Sequence, residues 1–147
     1  MSQIIPKPDL KFFLSWLMCA LAMFGVSYVW HGIVLNDLVR ISYSIDIYLS
    51  VAALVYLGIA LFIAVLTYVL KKIKDSFKYG IAVGAAAGVF IYAVAFILGI
   101  SFYTIIDPKM ILFDLGWQIF EQAFGGLVCG WVYRFLYMRQ KRMQFSQ

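Results

Sequence analysis

Four stretches of this chain stay apolar for longer than a buried helix of a soluble domain requires. They run approximately over residues 12–35, 47–70, 79–103 and 111–137. Bilayer hydrocarbon is about 30 Å thick, and a helix needs about 20 mostly apolar residues to cross it. Four such segments leave little of a 147-residue chain for anything else. Hydrophobic residues make up 65% and charged residues 13% of it, where a soluble domain carries about 25% charge. A monomer of this size has no interior large enough to hide so much apolar side chain from water. A soluble enzyme, a disordered tail and a disulfide scaffold all fit poorly.

The three prolines, Pro6, Pro8 and Pro108, fall outside the spans, as helical spans require. The connections are short, which favours antiparallel neighbours. The predicted fold is therefore all-α: a polytopic four-transmembrane-helix up-down bundle forming a single domain over residues 1–147. Lys7 and Lys11 before an apolar run, with Ala20-Leu21-Ala22 inside it, have the outline of a signal peptide. The run continues through Leu35, past any signal-peptide core, so this segment is expected to remain as the first span.

Basic residues set the orientation. Lys7 and Lys11, then Lys71, Lys72, Lys74 and Lys78, then Arg134, Arg139, Lys141 and Arg142 share one side, leaving Arg40 and Lys109 on the other. The positive-inside rule then places both termini in the cytoplasm, N-in and C-in, of a multi-pass protein suited to a bacterial inner membrane. So strong a bias argues against dual insertion, and any dimer is expected to be parallel. Tyr43, Tyr48, Phe102 and Tyr103 fit an outer aromatic belt, and Trp16, Tyr68, Tyr79, Trp131 and Tyr133 an inner one. The net charge of +5 is explained by orientation, so no nucleic-acid partner is expected.

Gly80, Gly84 and Gly88 are spaced four apart in the third span, and Gly126 and Gly130 in the fourth. Small residues at that spacing let helix backbones approach closely in lipid. They predict either packing within one bundle or a face for a homo-oligomer or a larger membrane complex.

Ionisable groups inside a span are costly and mark functional candidates. His31, the only histidine, lies roughly 7–8 Å below the outer end of the first span at about 1.5 Å per residue. Glu121 lies roughly 10 Å deep in the fourth by the same rise. On a helical wheel Asp114, Gln118, Glu121 and Gly125 form one stripe, widened by Gln122, while Ser27 and His31 share a face of the first span. The two stripes are expected to face each other, with His31 donating to Glu121 and Gln118 completing the network. Three uses are open: a satisfied structural network, a proton relay for coupled transport, or a wet pocket for a small ligand.

Other chemistry is thin. Cys19 and Cys129 lie in apolar runs without a C-x-x-C partner and read as small buried hydrophobes. One histidine cannot supply bis-histidine haem ligation within one chain, which leaves only a haem shared across a dimer, and no metal or other cofactor is expected. No nucleophile stands with a base, and no H-E-x-x-H, Walker A or G-x-S-x-G motif occurs.

Phe24-Gly25 with Trp30-His31-Gly32, the glycine-rich third span, and Asp114-x-x-Trp117 leading to Gly125-Gly126 carry a resemblance over most of the chain. It resembles small bacterial four-helix integral membrane families grouped as domains of unknown function. That resemblance implies a bundle of about this size and no established activity. The tryptophan-rich sensory proteins, which bind porphyrin- and sterol-like ligands, have five spans and fit less well. The functional expectation is a non-enzymatic accessory, structural or small-ligand-binding membrane protein. The alternative is a small proton-coupled permease using the Glu121–His31 pair.

Overall fold

The computed structural model describes residues 9–40, 44–70, 76–99 and 107–145. Four long helices account for most of them: α1 (Leu10–Ser27), α2 (Ile45–Val69), α3 (Lys78–Gly99) and α4 (Pro108–Phe145). A π-helical turn, Tyr28–Val34, prolongs α1, and a short 3-10 turn, Asp37–Arg40, follows it. Among the described residues there is no strand. A chain in lipid must satisfy its backbone polar groups internally, and helices do this within each segment.

The helix ends follow local chemistry. Asp9 caps α1, its Oδ1 accepting from the Phe12 backbone N–H at 3.0 Å. Pro108 occupies the first position of α4, where a missing N–H costs nothing, and Asp107 accepts from Lys109 N at 2.9 Å. α4 thus starts three residues before the expected span and runs 38 residues. The end of the expected third span, residues 100–103, lies outside the described residues, as do Lys7, Lys71, Lys72, Lys74, Tyr43, Phe102 and Tyr103.

α1 with its π-helical extension, α2 and α3 are each long and apolar enough to cross a membrane. Only 17% of the most apolar stretch of α2, and 17% of that of α3, is buried inside the protein, so most of their apolar side chains face outward. α4 is less apolar because Gln118, Glu121, Gln122 and its glycines occupy the side that α1 and α3 cover.

Successive helices run in opposite directions. Tyr68, near the end of α2, packs edge-on against Phe12 at the start of α1 and Tyr133 in the second half of α4. Lys11 at the start of α1 hydrogen-bonds Gln140 near the end of α4. Tyr68 and Tyr133 were expected in an interfacial belt. Tyr133 is buried in this aromatic cluster, packed edge-on against Tyr68 of α2.

The α3–α4 seam is a backbone contact. A Cβ on Gly80 would overlap the Gly126 carbonyl, and one on Gly84 the Gln122 carbonyl. One on Gly88 would sit 2.8 Å from the Gln118 carbonyl, and one on Gly126 would overlap the Gly80 carbonyl. Gly130 closes the same seam, its Cα 3.3 Å from the position a Gly80 Cβ would take. The glycine run therefore serves packing within the chain. Trp16 ties α1 to α2 by donating to the Leu57 carbonyl at 2.9 Å, and Tyr92 ties α3 to α4 by donating to the Ile111 carbonyl at 3.1 Å.

Candidate functional site

The buried face of α4 comprises Glu121, Gln122, Gly125, Gly126, Cys129, Gly130 and Tyr133. Its middle is displaced by roughly 60° from the expected stripe at about 100° per residue. The α3 glycines draw Gly126 and Gly130 inward and so turn the helix. Asp114 is exposed at the edge of that face, and Gln118 is only half-buried where its carbonyl abuts Gly88. Neither joins the centre of the site. Gln122, fully buried beside Glu121, takes the place expected of Gln118.

Glu121 is 1% exposed. Its Oε2 accepts from Trp117 Nε1 at 3.1 Å and its Oε1 from Gln122 Nε2 at 3.2 Å. The hydroxyls of Tyr56 and Ser27 lie against the same carboxylate, and His31 is within electrostatic reach of it. Tyr56 also donates to Ser27 Oγ at 2.6 Å, bridging α2 to α1. The structure thus brings together Ser27, His31 and Glu121 and adds Tyr56, Trp117 and Gln122. Gln122 Oε1 is buried without a protein hydrogen-bond partner, an acceptor left over for a proton, a water or a ligand donor.

Local backbone sets this geometry. In the π-helical turn the Leu35 N–H reaches back to the Trp30 carbonyl at 2.9 Å, one residue further than an α-helix allows. Asn36 then takes a left-handed φ of 54° and turns the chain. Gly32 leaves room for Leu38 of the following turn to fold back, its missing Cβ lying 3.0 Å from Leu38 Cδ1. The widened turn lays Trp30 flat on Trp117, with ring centroids 4.2 Å apart and planes at 14°. Trp117 is thereby fixed with its N–H on the carboxylate.

On the other side of His31 is a cavity of about 130 Å³ lined by Ser27, Tyr28, His31, Gly32, Leu38, Tyr48 and Tyr56, among others. It lies between the π-helical turn and the first half of α2, with Ser27 and Tyr56 forming the wall toward Glu121. Drug-sized ligands usually occupy about 300 Å³ or more, so this space suits a compact molecule. Among the described residues no group of three His, Cys, Asp or Glu side chains could hold a metal ion.

Sequence reasoning missed Tyr56 and Trp117. Tyr56 reads as one aromatic residue in an apolar run, and only tertiary placement carries it to Ser27. Trp117 stands four residues before Glu121, on the same helix face, a signal that was available. Comparison with family models, curated proteins and solved structures finds none that matches this chain.

Proposed function

We propose that this chain is a four-span membrane protein of the bacterial inner membrane, with both termini in the cytoplasm, that binds a compact ligand at the outer end of the bundle. The observation that carries the reading is the continuity between cavity and carboxylate. The cavity wall formed by Ser27 and Tyr56 is the surface against which Glu121 is held. Tyrosine faces and a carboxylate behind a hydroxyl wall favour a small cation or a hydrogen-bond donor. The ligand is non-covalently held, and no step of bond chemistry is assigned to the site.

A ligand that binds the folded state raises its stability by mass action. The test is thermal unfolding of the detergent-purified protein with methylammonium, tetramethylammonium and larger ammonium salts, against sodium at equal ionic strength. A melting temperature that rises with the smaller ammonium ions is expected, with no rise in Glu121→Gln or in Ala52→Phe, which fills the cavity that Ala52 of α2 helps to line. Equal melting temperatures in all the salts, or the same rise in both variants, would overturn the reading.

A second reading follows from the hydroxyl pair. Ser27 and Tyr56 connect the surroundings of Glu121 to the cavity beside His31, a chain through which a proton could pass in coupled transport. Vesicles with the protein reconstituted and a pH gradient imposed test it. Proton flux above that of empty vesicles, abolished by Glu121→Gln, is expected. Equal flux in wild type and variant removes proton coupling and leaves ligand binding to stand on its own test.

A further inference from the structure

Three sulfur-bearing side chains meet at the α1–α4 contact, away from the Glu121 cavity. Cys19 and Met23 are one turn apart on α1, and both are fully buried. Cys129 lies one turn beyond Gly125 on α4 and is 2% exposed. Gly125 is the spacer. A Cβ there would overlap the Met23 side chain at Cγ and Sδ, and would lie 3.4 Å from Cys19 Sγ. Cys19 and Cys129 belong to one buried cluster and lie near enough to interact electrostatically, and neither is in a disulfide. The missing side chain of Gly125 is therefore occupied by a thioether, with one thiol beside it and a second thiol one turn along α4 in the same buried cluster.

We propose that Cys19, Met23 and Cys129 form a soft-metal site that takes a monovalent copper ion. Thiolate and thioether sulfur select soft ions, copper(I) above all. Structural zinc wants four ligands, usually including nitrogen or more thiolates. No third Cys, His, Asp or Glu completes such a set among the described residues. Copper(I) is satisfied by few sulfur ligands in a low-coordinate arrangement. Binding displaces one thiol proton to solvent, leaving one thiolate, one thiol and one thioether around a singly charged ion. The loaded site is then electrically neutral, which the apolar interior of a bundle demands. Met23 has the torsional freedom to move its sulfur onto the ion without shifting either helix. The site is independent of the ligand cavity and of the proton reading.

The test uses the full chain expressed in copper-supplemented medium, purified in mild detergent under reducing conditions and dialysed against a copper(I) chelator. Elemental analysis is expected to find about one copper per chain. Retention should fall at least tenfold in Cys19→Ser and in Cys129→Ser, and several-fold in Met23→Leu, at unchanged helix content by circular dichroism. Copper K-edge absorption on the loaded wild type, which needs no variant to fold, should report a sulfur-only shell. No copper in the wild type, equal copper in Cys129→Ser, nitrogen or oxygen scatterers, or a mass two hydrogens lighter from a Cys19–Cys129 disulfide would each overturn the proposal.

Discussion

Glu121 shows how a costly residue is accommodated. A carboxylate so buried is held only where donors converge, and here an indole and an amide supply them directly while two hydroxyls stand by. Each donor is itself fixed: Trp117 by its stack on Trp30, Tyr56 by its bond to Ser27. At the opposite end of the bundle Asp9 is held by simpler means. Burial of Asp9 raises its pKa, but the Lys11 ammonium at 2.7 Å and the Phe12 N–H outweigh it, so the carboxyl sits below its usual range. A carboxyl lowered in the folded state stabilises the fold above its unfolded pKa of about 3.9. That stability fades as pH falls through the lowered folded value. Denaturant unfolding of the detergent-solubilised protein should therefore show a loss as pH falls below about 4 that Asp9→Asn lacks. Asp9→Ala, which also removes the cap, should cost about 0.5–2 kcal/mol at neutral pH. An Asp9→Asn profile that overlays the wild type at every pH would show that the Asp9 ion pair contributes nothing to the fold.

Glycine makes the helix-scale difference between a face and a seam. Gly80, Gly84 and Gly88 on α3 and Gly126 and Gly130 on α4 are in backbone contact, whereas Gly58 of α2 has nothing within 4 Å of a built Cβ. The same substitution should then act oppositely at two sites. Gly84→Ala drives a methyl into the Gln122 carbonyl and should destabilise by about 1–3 kcal/mol. Gly58→Ala meets open space and should be neutral or stabilising by up to about 1 kcal/mol. Unfolding midpoints of the two variants in one detergent check this, and equal shifts would show that the seam tolerates side chains. The helices and the glycine period were readable in the sequence because both depend on neighbours a turn away. Which carbonyls the glycines meet was not, since that depends on the rotation of α4. The same rotation explains why Gln118 was expected in the site and Gln122 stands there. The π-helical turn left no compositional trace, because it is a hydrogen-bond slip that Gly32 and Asn36 permit rather than require. The approach of Cys129 to Cys19 was equally hidden, for it brings two isolated residues into one buried cluster across 110 positions of chain.

At the scale of the whole molecule, charge and length act together. The antiparallel order places Lys11, Lys78, Arg134, Arg139, Lys141 and Arg142 at one end of the bundle, and Asp46, Asp107 and Asp114 at the other with Lys109. α4, at 38 residues, is roughly 57 Å long at 1.5 Å per residue, nearly twice the thickness of bilayer hydrocarbon, about 30 Å. Its basic second half must therefore project from the membrane if its apolar first half crosses, and the proposed orientation has that projection in the cytoplasm. Introduced cysteines can report the arrangement, because both native thiols are buried. Ser44→Cys, before α2, and Lys109→Cys, at the start of α4, should react with a membrane-impermeant maleimide added to intact spheroplasts. Gln144→Cys, near the end of α4, should react only after permeabilisation. Labelling of Lys109→Cys and Gln144→Cys from the same side would mean that α4 does not cross. Partial labelling of all three from both sides would mean that the chain inserts both ways, and the bias of its basic residues would then have no topological effect.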